Sequence, residues 1–181
     1  MTHGVVSALA VLGVVGQALV VVLAVAWLVA RDAVRRLLWG YELWAAFVVA
    51  AVATGGSLFL SQVAGFVPCE MCWFQRICMY PLSLLLLFLA AHGDNRAARY
   101  LVPFPVIGGA VSVYHILIEN HVVATPAACE VGAGCTVKWI DYFGYMTIPT
   151  LALTAFVLLI GFLALSLPGR AEAVATLPAD G

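Results

Sequence analysis

The chain has 181 residues, of which 65% are hydrophobic and only 9% are charged, and its mean hydropathy is +1.09. Soluble domains carry about 25% charged residues, so this composition predicts an integral membrane protein and excludes any large soluble domain. The formal net charge of −1 gives no sign of a nucleic-acid partner, and none is expected.

Five apolar stretches are each close to, or longer than, the roughly 20 residues that a helix needs to cross the hydrocarbon core. They carry almost no charged side chains, and the absence of a period-two alternation favours helices over strands. The fold class is therefore predicted to be an all-α membrane protein. The stretches are residues 4–30, 43–68, 71–91, 101–118 and 145–167.

The first stretch, residues 4–30, is predicted to be a retained transmembrane helix and not a signal peptide. It lacks a basic leading region, and its apolar part is too long for a cleaved segment. Arg31, Arg35 and Arg36 follow it, whereas a signal peptide carries its basic residues in front. Nothing within the stretch indicates chemistry.

The segment PCEMCWFQR, residues 68 to 76, places a Cys-x-x-Cys pair at the start of the third stretch. A thiol in the first turn of a helix faces the positive end of the backbone dipole, which favours the thiolate. Cys72 and Arg76 are four residues apart and share a helix face, so we expect a reactive Cys72 beside a cation that stabilises negative charge on a bound oxidant. The alternative is a static disulfide between Cys69 and Cys72, with Arg76 extended to the lipid headgroups.

The fourth stretch carries His115 and Glu119, four residues apart, near its end. His115 can point towards a cavity that holds the oxidant, where it would donate to a carbonyl oxygen or pass a proton. A hydrogen bond from an intramembrane histidine to a neighbouring backbone is the structural alternative. Glu119 is expected in the headgroup layer.

A second pair of cysteines, Cys129 and Cys135, lies in the segment CEVGAGC between the fourth and fifth stretches. Gly132 and Gly134 predict a flexible loop, and a disulfide in a mobile, exposed loop is easily exchanged. A plain loop staple is the alternative. Four cysteines also permit a tetrahedral zinc site, but we expect no metal, because such sites are typical of soluble domains. Cys78 is expected to be a buried, inert thiol.

The segment that follows, residues 137–146, interleaves aromatic and charged side chains. This pattern predicts a short helix on the outer surface of the bilayer that anchors the preceding cysteine loop.

The basic residues predict the orientation of the chain. Five alternating crossings place the residues after the first, third and fifth stretches on one side, the cytoplasm, and these are Arg31, Arg35, Arg36, Arg96, Arg99 and Arg170. Arg76 and Lys138 are the only basic residues left for the other side. Both cysteine pairs then lie on the extracytoplasmic face, where disulfides persist.

Taken together, the motifs resemble the disulfide bond formation protein B family, particularly its BdbC branch, over residues 42 to 167. The resemblance is carried by PCEMCWFQR with a following Met-Tyr-Pro, a Tyr-His in the fourth stretch, the two-cysteine loop and YFGYMTIP. It implies a redox domain of four transmembrane helices at residues 42–168. Residues 1–41 would be an extra N-terminal helix with a basic cytoplasmic loop, and residues 169–181 a cytoplasmic tail that we expect to be disordered.

The resemblance also implies an activity, that of a quinone-dependent thiol oxidase in the bacterial cell membrane. Such an enzyme re-oxidises an extracytoplasmic thioredoxin-fold protein of the DsbA or BdbD type and passes the electrons to ubiquinone or menaquinone. By position, Cys129 would be attacked by the partner thiolate and Cys135 would be its mate. Cys69 would take the reducing equivalents from Cys135, and Cys72 would contact the quinone.

Arg76 and His115 would hold the quinone together with Cys72 under the same resemblance. Two other interpretations stay open. A vitamin K epoxide reductase-like enzyme is disfavoured because there the membrane-edge Cys-x-x-Cys follows the loop pair, and a disulfide-stapled scaffold would show no turnover. The sequence also leaves open whether Cys69–Cys72 and Cys129–Cys135 are the resting bonds or whether a Cys69–Cys135 cross-link accumulates.

Overall fold

The computed structural model describes residues 2–130 and 134–167. This part of the chain contains no strand, and its five long helices are α1 (Thr2–Leu38), α2 (Glu42–Gln62), α3 (Glu70–His92), α4 (Pro103–Glu119) and α5 (Ile148–Ser166). Short 3-10 turns at Ala97–Leu101 and Ala127–Glu130 flank α4. All five helical regions are long and apolar enough to cross a membrane, which confirms the predicted all-α membrane fold. The predicted tail, residues 169–181, lies outside the described residues.

Helices α2 to α5 form a ring in which each helix packs against two others, in the order α2, α3, α4 and α5. The centre of this ring is aliphatic and aromatic, as expected for helices that are apolar on every face. Gly108 lets α4 approach α5 closely, because a Cβ atom at this position would overlap the ring of Phe156. The largest fully buried side chains of the ring include Leu82, Leu86, Phe156, Leu159 and Leu163.

Helix α1 lies outside the ring, against α5, and touches α2 only weakly. Two glycines one turn apart make this approach possible. A Cβ atom at Gly13 would overlap the side chain of Leu151, and one at Gly16 would lie 3.1 Å from Cγ2 of Thr154. Small residues at such spacing allow helices in a membrane to pack backbone against backbone, so the position of α1 is built into its sequence.

Two polar contacts also tie α1 to the connection that precedes α5. The hydroxyl oxygens of Ser7 and Tyr142 lie 2.9 Å apart. The Tyr145 hydroxyl donates to Oε1 of Gln17 at 3.1 Å. The contact at Ser7 lies near the N-terminal end of α1, and the contact at Gln17 lies near the middle of its membrane span.

Helix direction alternates around the ring, so both cysteine segments lie at one end of the bundle, where Cys69, Cys129 and Cys135 belong to one apolar cluster. The contact of Ser7 with Tyr142 places the N-terminal end of α1 at this end too. The loops that follow α1 and α3 lie at the opposite end. The assignment of the cysteine end to the outside of the cell rests on the charge bias and stays a prediction.

The segment 137–146 is not a helix, so the predicted surface helix is wrong. Tyr142 and Met146 form an isolated antiparallel bridge around a tight turn. Phe143 and Gly144 lie in the left-handed region of backbone space, with φ values of 60° and 75°. The left-handed region is costly within a right-handed helix, and Gly144 makes the turn inexpensive.

Candidate active site

Cys69 and Cys72 lie where the chain enters α3. Cys69 is the N-cap residue, with an extended backbone after Pro68, and Cys72 belongs to the first helical turn. Their sulfur atoms are 3.1 Å apart and not bonded to each other. Cys69 is buried and Cys72 is partly buried. The structure therefore shows this pair in its reduced form, with two sulfurs close enough to join.

The negative charge of the reduced pair belongs on Cys69. A hydrogen bond between the Cys69 and Cys72 sulfurs lowers the pKa of Cys69 from 9.0 to about 4. Burial opposes this shift, and a hydrogen bond and positive charge from His115 assist it. The helix position and Arg76 had predicted the thiolate on Cys72, so the structure moves it to the neighbouring sulfur.

The loop pair is a disulfide between Cys129 and Cys135. Both residues are buried, with exposed fractions of 2% and 1%, so the prediction of an exposed disulfide is wrong. The bond packs on Ile118, in the last turn of α4, and this apolar contact removes it from water. Of the two loop glycines, Gly134 adopts a left-handed φ of 71°, and Gly132 lies outside the described residues.

His115 lies between the two pairs of cysteines. Its Nε2 atom is 3.6 Å from the sulfur of Cys69 and 3.2 Å from the carbonyl oxygen of Cys135. The side chain is 4% exposed, and its Nδ1 atom has no hydrogen-bond partner among the described residues. The sequence analysis offered two alternatives for His115, a hydrogen bond to the backbone or a role beside the oxidant. In the structure Nε2 contacts both a backbone oxygen and a redox cysteine.

Glu119 is buried within the protein at the end of its membrane span, and its predicted place in the headgroup layer stays a prediction. Its Oε2 atom accepts a hydrogen bond of 2.8 Å from the hydroxyl of Thr147, the N-cap residue of α5. A buried carboxyl group needs such a partner, because desolvation without one is costly. The contact joins the end of α4 to the start of α5, beside His115.

Arg76 is fixed against α2. Its Nε and Nη2 atoms donate to the hydroxyl and the carbonyl oxygen of Ser57 at 3.0 and 3.1 Å, and the Tyr80 hydroxyl donates to the same Ser57 hydroxyl at 3.2 Å. The guanidinium also lies 5.5 Å from the ring centre of Trp73. Arg76 is therefore held by contacts within the protein. Ser57 was missed by the sequence analysis, because a single serine in an apolar helix carries no signal of its partner.

A cavity of about 350 Å³ opens beside these residues, between α1, α2 and α5. Its polar end is lined by Cys69, Cys72, Arg76 and His115, and aliphatic side chains line most of the remainder. Gln75 also lines it; this residue is buried, and its Nε2 atom has no hydrogen-bond partner among the described residues. Gln75 was not predicted, although a glutamine directly before Arg76 in an apolar helix is a visible signal.

The chemistry of this cavity fits a quinone. At the polar end, the Gln75 amide nitrogen is an unpaired donor for a carbonyl oxygen, and Nδ1 of His115 is unpaired and can donate when it carries a hydrogen. Unpaired buried polar atoms are otherwise costly. The aliphatic remainder suits a hydrocarbon chain. Two stacked rings, Phe66 and Trp139, with centres 5.1 Å apart, line the cavity as well.

Two further predictions about the cysteines can be assessed. The sulfurs of Cys69 and Cys72 and a nitrogen of His115 lie within 4.8 Å of one another, close enough to share a metal ion. A zinc site built from all four cysteines is excluded in this state, because Cys129 and Cys135 are bonded to each other. Cys78 is a free thiol in the bundle core, which confirms its predicted burial.

Comparison with known proteins agrees with this geometry. The family model described as disulfide bond formation protein DsbB matches residues 36–166. The chain is 44% identical over 125 residues to the disulfide bond formation protein C of Bacillus subtilis (strain 168), which covers 68% of this chain and 90% of that protein. It is 40% identical over 118 residues to the probable disulfide formation protein C 1 of Bacillus anthracis, covering 65% and 85% of the two chains. No solved structure matches the chain.

Proposed function

Because the chain belongs to the DsbB family of disulfide bond formation proteins, we propose that it is a dithiol:quinone oxidoreductase of the bacterial cell membrane. Membership makes it a multi-pass membrane protein that acts as an oxidoreductase in disulfide bond formation. Its electron donor would be a thioredoxin-fold protein outside the cytoplasm, and its acceptor would be ubiquinone or menaquinone.

One observation carries the proposal: the reduced Cys69–Cys72 pair lies between a disulfide and an apolar cavity. On one side, His115 contacts both the sulfur of Cys69 and the backbone of Cys135. On the other side, Cys69 and Cys72 line the cavity. A pair in this position can exchange electrons with protein sulfur and with a lipid-soluble acceptor, which a static staple has no need to do.

The thiol chemistry balances through four exchanges. A partner thiolate attacks Cys129, the Cys129–Cys135 bond breaks, and Cys135 leaves as a thiolate. Cys135 then attacks Cys69 of a bonded Cys69–Cys72 pair, and Cys72 leaves with the electron pair. In the third exchange, the partner's second thiolate attacks the partner sulfur bonded to Cys129, which closes the partner disulfide and releases Cys129. In the fourth, Cys129 attacks Cys135, the Cys135–Cys69 bond breaks, and Cys69 leaves as a thiolate.

The products of this sequence are a bonded loop pair and two reduced sulfurs on α3, the arrangement found in the structure. Two electrons have moved from the partner to Cys69 and Cys72. His115, with Nε2 at 3.6 Å from Cys69, is placed to stabilise the sulfur that leaves last. A bound quinone supplies an acceptor for two electrons and two protons.

The residues around the cavity support binding of that acceptor. Gln75 and His115 each carry a buried nitrogen without a partner among the described residues, and both nitrogens can bind carbonyl oxygens when they carry hydrogen. Arg76, one helical turn beyond Cys72, brings a permanent positive charge to the same end of the cavity. Cationic and hydrogen-bonding groups there would stabilise negative charge as it develops on the acceptor.

The test is the variant Cys72→Ser. We expect it to abolish quinone-dependent oxidation of a thioredoxin-fold dithiol, because Cys72 is the leaving sulfur of the second exchange. Cys78→Ser is the matched control, since it removes a sulfur of the same helix that lies in the bundle core, and it should keep near-normal activity. Full activity of Cys72→Ser, or purified wild-type protein that reduces no quinone, would reject the proposal.

The alternative functions have weaker support. The family match is to DsbB, which adds to the argument from cysteine order against a vitamin K epoxide reductase-like enzyme. A scaffold stapled only by the Cys129–Cys135 bond would have no use for a free pair, Cys69 and Cys72, that lines a cavity.

A further inference from the structure

Helix α1 lines the cavity although almost all of it lies outside the family match, which begins at residue 36. The family's redox chemistry therefore does not account for this helix. Its cavity-lining residues are small or aliphatic, and they recur along one face of α1: Leu9, Leu12, Gly13, Val15, Gly16 and Leu19.

The position of α1 creates a slot between α1 and α2. Near the cysteine end the two helices meet, because a Cβ atom on Gly56 would lie 3.0 Å from a methyl group of Leu9. Farther from that end, the cavity-lining side chains of both helices are exposed and not covered by each other: Leu12 and Val15 at 52% and 57%, Val52 and Val48 at 47% and 55%.

The slot is a lateral opening of the cavity. From Gly56 to Val48 it extends over eight residues of α2, or about 12 Å at 1.5 Å per residue. Both of its walls are aliphatic, and it faces the region that lipid would occupy around a membrane bundle. The opposite, polar end of the cavity holds Cys72 and Arg76.

This combination fits one kind of molecule, with a polar ring at one end and a long hydrocarbon chain at the other. We propose that α1 forms a binding wall for the isoprenoid tail of the quinone, and that the tail leaves the cavity between α1 and α2. The inference rests on the proposed function. It assigns to α1 a role in recognising the tail, whereas the family domain recognises the ring.

Two adjacent residues of α1 provide a matched test. Leu12 and Val11 are similarly exposed, at 52% and 58%, but only Leu12 lines the cavity. Leu12→Trp should fill the slot and weaken binding of a long-tailed quinone about tenfold, because a bulky ring cannot share the space with the tail. Val11→Trp adds the same ring on the outer face and should leave the affinity unchanged.

The readout is binding and does not depend on turnover. Dissociation constants of the purified proteins are measured by equilibrium dialysis for a long-tailed quinone and for the same ring without its tail, and quinone that co-purifies is extracted and quantified. We expect Leu12→Trp to lose affinity for the long-tailed form only. Val15→Trp and Val14→Trp repeat the comparison one turn farther along α1, since Val15 lines the cavity and Val14 does not.

The two proposals fail in different ways. If the wild-type protein binds neither quinone, both are rejected. If the wild type binds both quinones while Leu12→Trp behaves like Val11→Trp, or loses both quinones equally, the role of α1 is rejected and the proposed function stands.

Discussion

The two cysteine pairs share one end of the bundle and one apolar cluster, but their surroundings differ. Cys129 and Cys135 are bonded and lie in an irregular connection that packs on the end of α4. Cys69 and Cys72 are free and lie at the start of a helix, where Cys72 and His115 hydrogen-bond to the Cys69 sulfur. Of the two pairs, only Cys69 and Cys72 are surrounded by groups that stabilise a thiolate.

Under the proposed function, this difference gives a direction to the electron transfer between the two cysteine pairs. A disulfide is a stronger oxidant when its reduced form is stabilised, and the lowered pKa of Cys69 stabilises the reduced form of the pair on α3. No comparable group among the described residues contacts the sulfurs of Cys129 and Cys135. Electrons should therefore pass from the loop pair to the helix pair, which is Cys69 and Cys72.

Removal of Cys69 should break the relay between the pairs completely. In Cys69→Ser, the thiolate of Cys135 has no sulfur to attack, so oxidation of a partner dithiol should fall by roughly a thousandfold or more. Thiol trapping with mass mapping during turnover should then find Cys129 and Cys135 reduced. Retention of an oxidised loop pair in this variant, in the presence of excess reduced partner, would contradict the direction argued here.

Loss of His115 should reduce the stabilisation of the Cys69 thiolate without abolishing it. His115 contributes to the low pKa of Cys69, so His115→Ala should raise that pKa and slow turnover by about a hundredfold, within the range of positioned proton-transfer groups. The control His92→Ala alters a histidine at the other end of α3, whose ring nitrogen contacts the carbonyl of Phe88.

The measurement is a titration of thiolate absorbance in reduced Cys78→Ser protein, with the loop pair intact. Because the pKa of Cys69 is lowered to about 4, its thiolate should persist as the pH falls below 9.0 and disappear only near pH 4. His115→Ala should move this midpoint upwards, and His92→Ala should not. A thiolate that disappears near pH 9 in the wild type would refute the assignment of charge to Cys69.

The sequence was sufficient for features that depend on neighbours along the chain. The five spans follow from the length and apolarity of each stretch, and the location of Cys69 and Cys72 at a helix start follows from Pro68 and the apolar run behind it.

Features that depend on contacts between distant segments were missed. The burial of the loop disulfide depends on Ile118 at the end of α4, and the burial of Glu119 depends on Thr147. Residues 137–146 have a helical pattern of side chains, but the turn at Phe143 and Gly144 overrides it. The slot along α1 could not be foreseen, because it depends on where α1 packs relative to α2 and α5.

The smallest expected effect on activity comes from loosening Arg76, which lines the cavity beside Cys72. Ser57→Ala removes the hydroxyl that accepts from Arg76 and Tyr80, while the backbone oxygen of Ser57 still holds the guanidinium. Because Arg76 loses one of its two hydrogen bonds to Ser57, we expect the KM for quinone to rise about fivefold and turnover at saturating quinone to change little.

Thr54→Val is the control for this change. Thr54 lies one turn before Ser57 on α2, does not line the cavity, and has a buried hydroxyl with no hydrogen-bond partner among the described residues. Steady-state kinetics at varied quinone, with reduced partner in excess, distinguish the two variants. Because Ser57 does not touch the loop pair, the KM for the partner should be the same in Ser57→Ala as in the wild type. A rise in the KM for the partner instead would mean that the cavity and the loop pair are coupled, and that the two cysteine pairs do not act as separate sites.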